Sequence, residues 1–213
     1  METISSKGRQ IFLRIGATIT WFALIIQFYL IILNRITTVP ETIIRFFSFY
    51  TILTNVLVAM CFTFLLFKPN SRGVTFFSQL NVVTAITLYI TVVGIIYNVI
   101  LRQIWNPEGL QRLADELLHV VVPLLFIFYW LLFSHIGKIR LKKIFYWLIY
   151  PLVYVICILF RGTLSGFYPY PFIDVNVLGY NKVILNSVGL FFGFFFLSLL
   201  LAAIANARNK KVQ

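Results

Sequence analysis

Six long apolar stretches decide what this chain can become. They run roughly over residues 11–33, 44–67, 80–101, 114–134, 144–161 and 183–205. As a helix rising ~1.5 Å per residue, each is long enough to cross ~30 Å of hydrocarbon. Lipid offers no partner to a backbone amide, so such stretches must bond internally, and helices are the way to do so. Charge is correspondingly scarce. Only 11% of residues are charged and 61% are hydrophobic, at a mean hydropathy of +0.94, where a soluble domain is about a quarter charged. The predicted class is all-α: a polytopic integral membrane protein whose residues 1–213 form a single six-helix transmembrane domain. The first stretch lacks a small-residue cleavage site after a short apolar core, so it is expected to be retained.

Loop charge predicts the orientation. Lys7, Arg9, Arg14, Lys68, Arg72, Lys138, Arg140, Lys142, Lys143, Arg208, Lys210 and Lys211 fall on one side of a six-span layout. Arg35, Arg45, Arg102, Arg112, Arg161 and Lys182 fall on the other, together with every acidic residue except Glu2. The positive-inside rule then places both termini in the cytoplasm. The net charge of +12 thus follows from topology and suits an anionic inner leaflet. The basic residues are dispersed over short loops, which argues against nucleic acid as a partner. The absence of an organelle-targeting segment points to a cytoplasmic membrane. Oligomeric state is left open. Cys61 and Cys157 lie within spans and read as buried free thiols.

Two outer loops stand out. Residues 102–113 carry the turn markers Pro107 and Gly109. Residues 162–182 contain Tyr-Pro-Tyr-Pro, whose prolines push their predecessors into extended geometry. That loop is too aromatic for a solvated one. It is expected at the headgroup level or folded back over the outer mouth of the bundle.

Two spans carry polar chemistry. In the second, Ser48, Thr51 and Asn55 share one helical stripe, with Thr54 on its flank. In the fourth, His119 sits about 8 Å in by helical rise, close to the ~10 Å expected for Thr51. Asp115 and Glu116, four and three residues before His119, are each placed to accept a ring N–H. They also suit a helix N-terminus by charge alone. Pro123 removes a backbone donor and is expected to kink the helix below His119. Intramembrane ionisable residues mark functional sites by default. A membrane threonine, though, commonly bonds its own upstream carbonyl, and Ser48 or Asn55 also serve to hold helices together. Neither a zinc-protease nor a serine-elbow motif is present, and two histidines at opposite ends of one span do not suit a haem. No cofactor or metal is expected.

The segments Phe-Ser-Phe-Tyr-Thr-Ile-Leu-Thr-Asn (47–55), Leu-Leu-His-Val-Val-Val-Pro (117–123) and Tyr-Pro-Tyr-Pro-Phe-Ile-Asp (168–174), in a six-span layout, resemble the androgen-induced protein family. Within it the chain looks like the bacterial six-span branch. Animal members hydrolyse fatty acid esters of hydroxy fatty acids with an intramembrane threonine and histidine. By position the resemblance carries these roles to Thr51 and His119, with Thr54 as the competing nucleophile. It implies a lipid substrate and an intramembrane ester hydrolase. Thr51 would attack the carbonyl, His119 would shuttle the proton, and Asp115 or Glu116 would orient the ring. Mid-helix amides are already bonded, so a backbone oxyanion hole is not expected. Asn55, Tyr97, Asn98 and Arg161 are the candidate side-chain donors, and water would enter near Asp174. Two other classes compete. A lipid or small-molecule transporter or binding protein would use the same polar stripe to line a cavity, and a structural membrane protein would leave Thr51 bonded to its own helix.

Overall fold

The computed structural model describes residues 6–67 and 71–210, and every regular element among them is helical. The chain opens with α1 (Ser6–Leu33). The second apolar stretch is divided between α2 (Val39–Ser48) and α3 (Tyr50–Phe64). A short α4 (Arg72–Phe77) follows, capped by the Ser71 hydroxyl, and then α5 (Leu80–Val99). The fourth stretch consists of α6 (Gly109–Glu116), a π-helical turn over Leu117–Val121 and α7 (Val122–Phe133). The last two helices are α8 (Lys142–Ser165) and α9 (Val175–Lys210), the latter interrupted at Gly179.

Five helical segments have the length and apolarity to cross a membrane, and a sixth is obtained if α2 and α3 count as one span. These are the features of a multi-pass membrane protein. The outer surface agrees. Ile25, Phe145, Phe160 and Phe196 are largely exposed, a cost in water that vanishes against acyl chains. Inside, α1 packs on α3, and α5 sits between α3, α7 and α9. Phe62, Phe126, Tyr129 and Trp130 are almost wholly buried at the centre. Two polar links join one end of the bundle. Arg9 donates to the Tyr129 hydroxyl at 3.3 Å, and Arg208 donates to the Trp130 carbonyl at 3.0 Å. Both described chain ends are therefore tied to α7. Lys68, Lys211 and Glu2, which enter the orientation argument, lie outside the described residues.

Several expectations change. The second span is not straight: α2 and α3 meet at 74°, so Ser48 does not share a helical stripe with Thr51 and Asn55. Instead its hydroxyl donates to the Ile44 carbonyl at 2.7 Å. The bend also voids the depth estimated for Thr51 along a straight rod. With 15 residues, α3 spans about 22 Å, and Thr51 lies in its first turn. Pro123 produces no break in the fourth span, which passes as one segment from Gly109 to Phe133. The preceding π turn absorbs the missing donor. The two outer loops are shorter than predicted, because α6 begins at Gly109, α8 continues to Ser165 and α9 begins at Val175. Gly166, at φ 67°, ends α8 in the left-handed conformation that glycine adopts without steric cost. Cys61 is buried as expected, but Cys157 is exposed on α8.

Candidate active site

The site grows out of the break between α2 and α3. Phe49 adopts an extended conformation (φ −80°, ψ 125°) between them. No proline or glycine forces it. Tertiary contacts compensate instead, with the Phe49 ring packing edge-on against Phe167 and Tyr170. The Tyr154 hydroxyl spans the gap, donating to the Ser48 carbonyl at 2.8 Å and accepting from the Tyr50 N–H at 3.2 Å. A helix start leaves its first amides without intrahelical partners. Here phenols take them: the Thr51 N–H donates to the Tyr170 hydroxyl at 3.2 Å. This corrects the expectation that the amides beside Thr51 are consumed by a continuous helix.

The break also frees the Thr51 side chain. Elsewhere in the bundle the hydroxyls of Thr20, Thr42, Ser48, Thr63, Thr84 and Thr87 donate to the carbonyl four residues upstream. For Thr51 that carbonyl belongs to Phe47, on the far side of the bend. Its Oγ1 instead lies 3.4 Å from His119 Nε2 and 3.3 Å from the Tyr170 hydroxyl. These distances are at the long end for hydrogen bonds, as is common for a catalytic pair without substrate. Thr54 faces elsewhere, toward Tyr150 at 3.4 Å. Of the two threonines, Thr51 is the one that meets the imidazole.

His119 occupies the middle of the π turn. Its Nδ1 is 2.9 Å from the Asp115 carbonyl. A carbonyl can only accept, so Nδ1 carries the proton and Nε2 presents its lone pair to Thr51. The ring is stacked on Tyr97, with centroids 3.9 Å apart and planes 12° from parallel. Two carboxamides hold the turn. The Val122 N–H reaches back five residues to Leu117, which leaves the Leu118 carbonyl free, and Asn55 donates to it at 3.3 Å while also binding the Thr51 carbonyl at 2.9 Å. Pro123 has no N–H for the His119 carbonyl, and Asn98 donates there at 3.5 Å. Gly94 permits this close packing: a Cβ on it would lie 3.3 Å from that carbonyl.

Several predicted roles are therefore reassigned. The ring of His119 is oriented by the Asp115 backbone, since the carboxylate is 3.8 Å from Nδ1 and accepts from the Trp105 indole at 2.7 Å. Glu116 is engaged by Arg102 at 2.7 Å on the bundle surface. Asn55, Asn98 and Tyr97 support the two catalytic candidates rather than facing an oxyanion. Arg161 pairs with Glu41 at 2.6 Å, outside the Thr51 cavity. Asp174 caps the start of α9 through the Asn176 N–H at 2.9 Å. Ser48 closes on its own helix.

Tyr170 is the residue the sequence reading missed. The loop from Gly166 to Asp174 turns inward and buries its phenol against Thr51. Burial pushes the phenol's pKa up, so it stays a neutral donor. The signal was there in part: an aromatic residue locked between Pro169 and Pro171, in a loop too greasy for water. Which tyrosine would point inward was not legible.

Thr51, His119 and Tyr170 line one cavity of ≈ 480 Å³, within the usual range for a ligand site. Its other walls are almost all apolar, contributed by α5, α8 and α9. Thr51 and His119 are buried, keeping 8% and 9% of their surface exposed. Leu152, Ile184, Val188 and Phe192 line the cavity while remaining about half exposed, so the wall at α8 and α9 is one side chain thick. Among the described residues, no group of three His, Cys, Asp or Glu side chains comes close enough to hold a metal ion. No protein-family model, curated protein or solved structure matches the chain.

Proposed function

We propose that this protein is an intramembrane lipid ester hydrolase with Thr51 as nucleophile and His119 as general base. One observation carries the reading: a membrane-helix threonine released from its own backbone points at the unprotonated nitrogen of a buried imidazole, in an apolar cavity. Thr51 Oγ1 attacks the ester carbonyl, and His119 Nε2 takes the hydroxyl proton and returns it to the leaving alcohol. Water then attacks the acyl-threonine, giving a proton to His119, which returns it to the departing Thr51 Oγ1 as the acid is released. The Asp115 carbonyl holds the Nδ1 proton throughout. The Tyr170 hydroxyl, which accepts from the Thr51 N–H at the positive end of α3, keeps its own proton to donate to the oxyanion. The acyl chain lies among the Leu, Ile and Phe side chains of the cavity.

The substrate class follows from the resemblance to the androgen-induced protein family, whose animal members act on fatty acid esters of hydroxy fatty acids. The bent α2–α3 pair makes a sixth span. The basic end, where Arg9 and Arg208 meet α7, faces the cytoplasm of a cell membrane, and Thr51 lies in the outer half. The test uses purified protein and a fluorophosphonate probe. The wild type should label, and Thr51→Ala and His119→Ala should not. Labelling that persists unchanged in both variants removes the proposal.

The break at Phe49 favours one second reading. Transporters bind substrate at interrupted helices, and a lipid carrier would use the same cavity. Lipid flux through reconstituted Thr51→Ala protein, with no ester turnover by the wild type, would support that reading.

A further inference from the structure

A second groove runs along the lipid side of α8, separate from the Thr51 cavity. It encloses ≈ 460 Å³, and Thr51 and His119 are not among its lining residues. Its wall on α8 consists of Tyr150, Val153, Tyr154, Cys157, Ile158 and Arg161. These recur at three- and four-residue spacing, so they form a single helix face. From Arg161 to Tyr150 the face extends about 16 Å at 1.5 Å per residue. Ile44 and Phe47 of α2 close the other side and are half exposed, as is Val153. The groove is therefore apolar, elongated and open to acyl chains.

Its only charged lining residue is Arg161, at one end. Arg161 and Arg45 share one carboxylate: Glu41 accepts from Arg161 Nη2 at 2.6 Å and from Arg45 Nε at 2.9 Å. Both guanidinium groups also lie against the Phe167 ring, at 5.2 Å and 4.4 Å. Two cations thus face one anion, and the surplus is positive. Arg161 Nη1 is buried without a hydrogen-bond partner. That atom is closed off from the groove, so an anion there would be drawn by the net positive charge of the cluster rather than by this donor. An anion at the head of an apolar trough fits the charge and the shape together.

We propose that this groove binds a single-chain, long-chain carboxylate, a free fatty acid, with its head on Arg161 and its chain along α8 toward Tyr150. The carboxylate balances the Arg45–Glu41–Arg161 cluster. The trough follows one helix face and so takes one chain. Tyr154 lines both this groove and the Thr51 cavity, so an occupant here touches the wall of the proposed active site.

Equilibrium binding of radiolabelled palmitate to the full chain in detergent tests the proposal. Saturable binding is expected, with no competition from hexadecan-1-ol, which has the chain but not the charge. Arg161→Gln should weaken binding by about tenfold or more. Cys157→Trp, which fills the trough without touching the cluster, should weaken it comparably, and Thr51→Ala should leave it unchanged. Elution as a monodisperse peak identifies folded variants, and if Arg161→Gln does not fold, the Cys157→Trp and hexadecan-1-ol arms decide. Wild-type affinity in folded Arg161→Gln or Cys157→Trp overturns the proposal. So does equal competition by hexadecan-1-ol, or stronger competition by phosphatidylglycerol, which would mark a phospholipid site instead.

Discussion

The two interruptions that build the site are opposites. At Phe49 the chain bends by 74° and uncovers amide donors, which the phenols of Tyr154 and Tyr170 accept. At Leu117–Val121 the helix stays on course but slips into a π turn, uncovering carbonyl acceptors. The carboxamides of Asn55 and Asn98 donate to those. The first interruption frees a hydroxyl from its own backbone, and the second carries the imidazole that meets it. In lipid an orphaned backbone group has no water to turn to, so each defect persists only because another helix supplies the partner. The pair is thus held by its supports as much as by its own two side chains.

Substitutions can break this comparison at either end. The largest effect belongs to the pair itself: His119→Ala should reduce lipid-ester turnover about 10³-fold, with Thr51→Ala at least as severe in a steady-state assay. Tyr170→Phe keeps the ring and removes the donor. Turnover should fall about 10²-fold, as for loss of one oxyanion donor, and an unchanged rate would assign the phenol to structure alone. Asn55→Ala should cost about 2 kcal/mol of stability, because it leaves the Leu118 carbonyl orphaned; a lowered melting temperature in detergent reads this out. Tyr154→Phe removes the bonds that span the Phe49 break and should cost about 1.5 kcal/mol in the same measurement. Gly94→Ala sharpens the contrast most finely. Its Cβ would press on the His119 carbonyl at 3.3 Å and on Pro123 at 3.4 Å, so about 1 kcal/mol is expected, with a loss of turnover and no change at the Phe49 break.

The two interruptions also differ in how well the sequence announced them. Pro123 signals a missing donor one turn after His119, so some disturbance was legible there, though a kink was expected where a π turn formed. Nothing in Phe-Ser-Phe-Tyr-Thr signals a break: the segment is apolar, without proline or glycine, and helical periodicity passes through it smoothly. The apparent stripe of Ser48, Thr51 and Asn55 was a product of that periodicity. Asp115 was read by its carboxylate, whereas its carbonyl does the orienting, a role any residue type can fill and no sequence can display. Arg161 and Asp174 were drawn toward the site by their expected place at the outer end of the bundle, yet their partners, Glu41 and the start of α9, lie elsewhere.

The sequence by itself determined the helical class, the approximate positions of the apolar segments and the intramembrane histidine as the residue most in need of a function. These follow from hydropathy and from the cost of placing an imidazole in lipid, which are properties of local composition. Tertiary structure alone decided that Thr51 rather than Thr54 meets His119, that Tyr170 comes in from a distant loop, and that the second span breaks at Phe49. Each depends on hydrogen-bond partners from other helices, and which helix offers a phenol or a carboxamide at a given depth is settled only when the bundle packs.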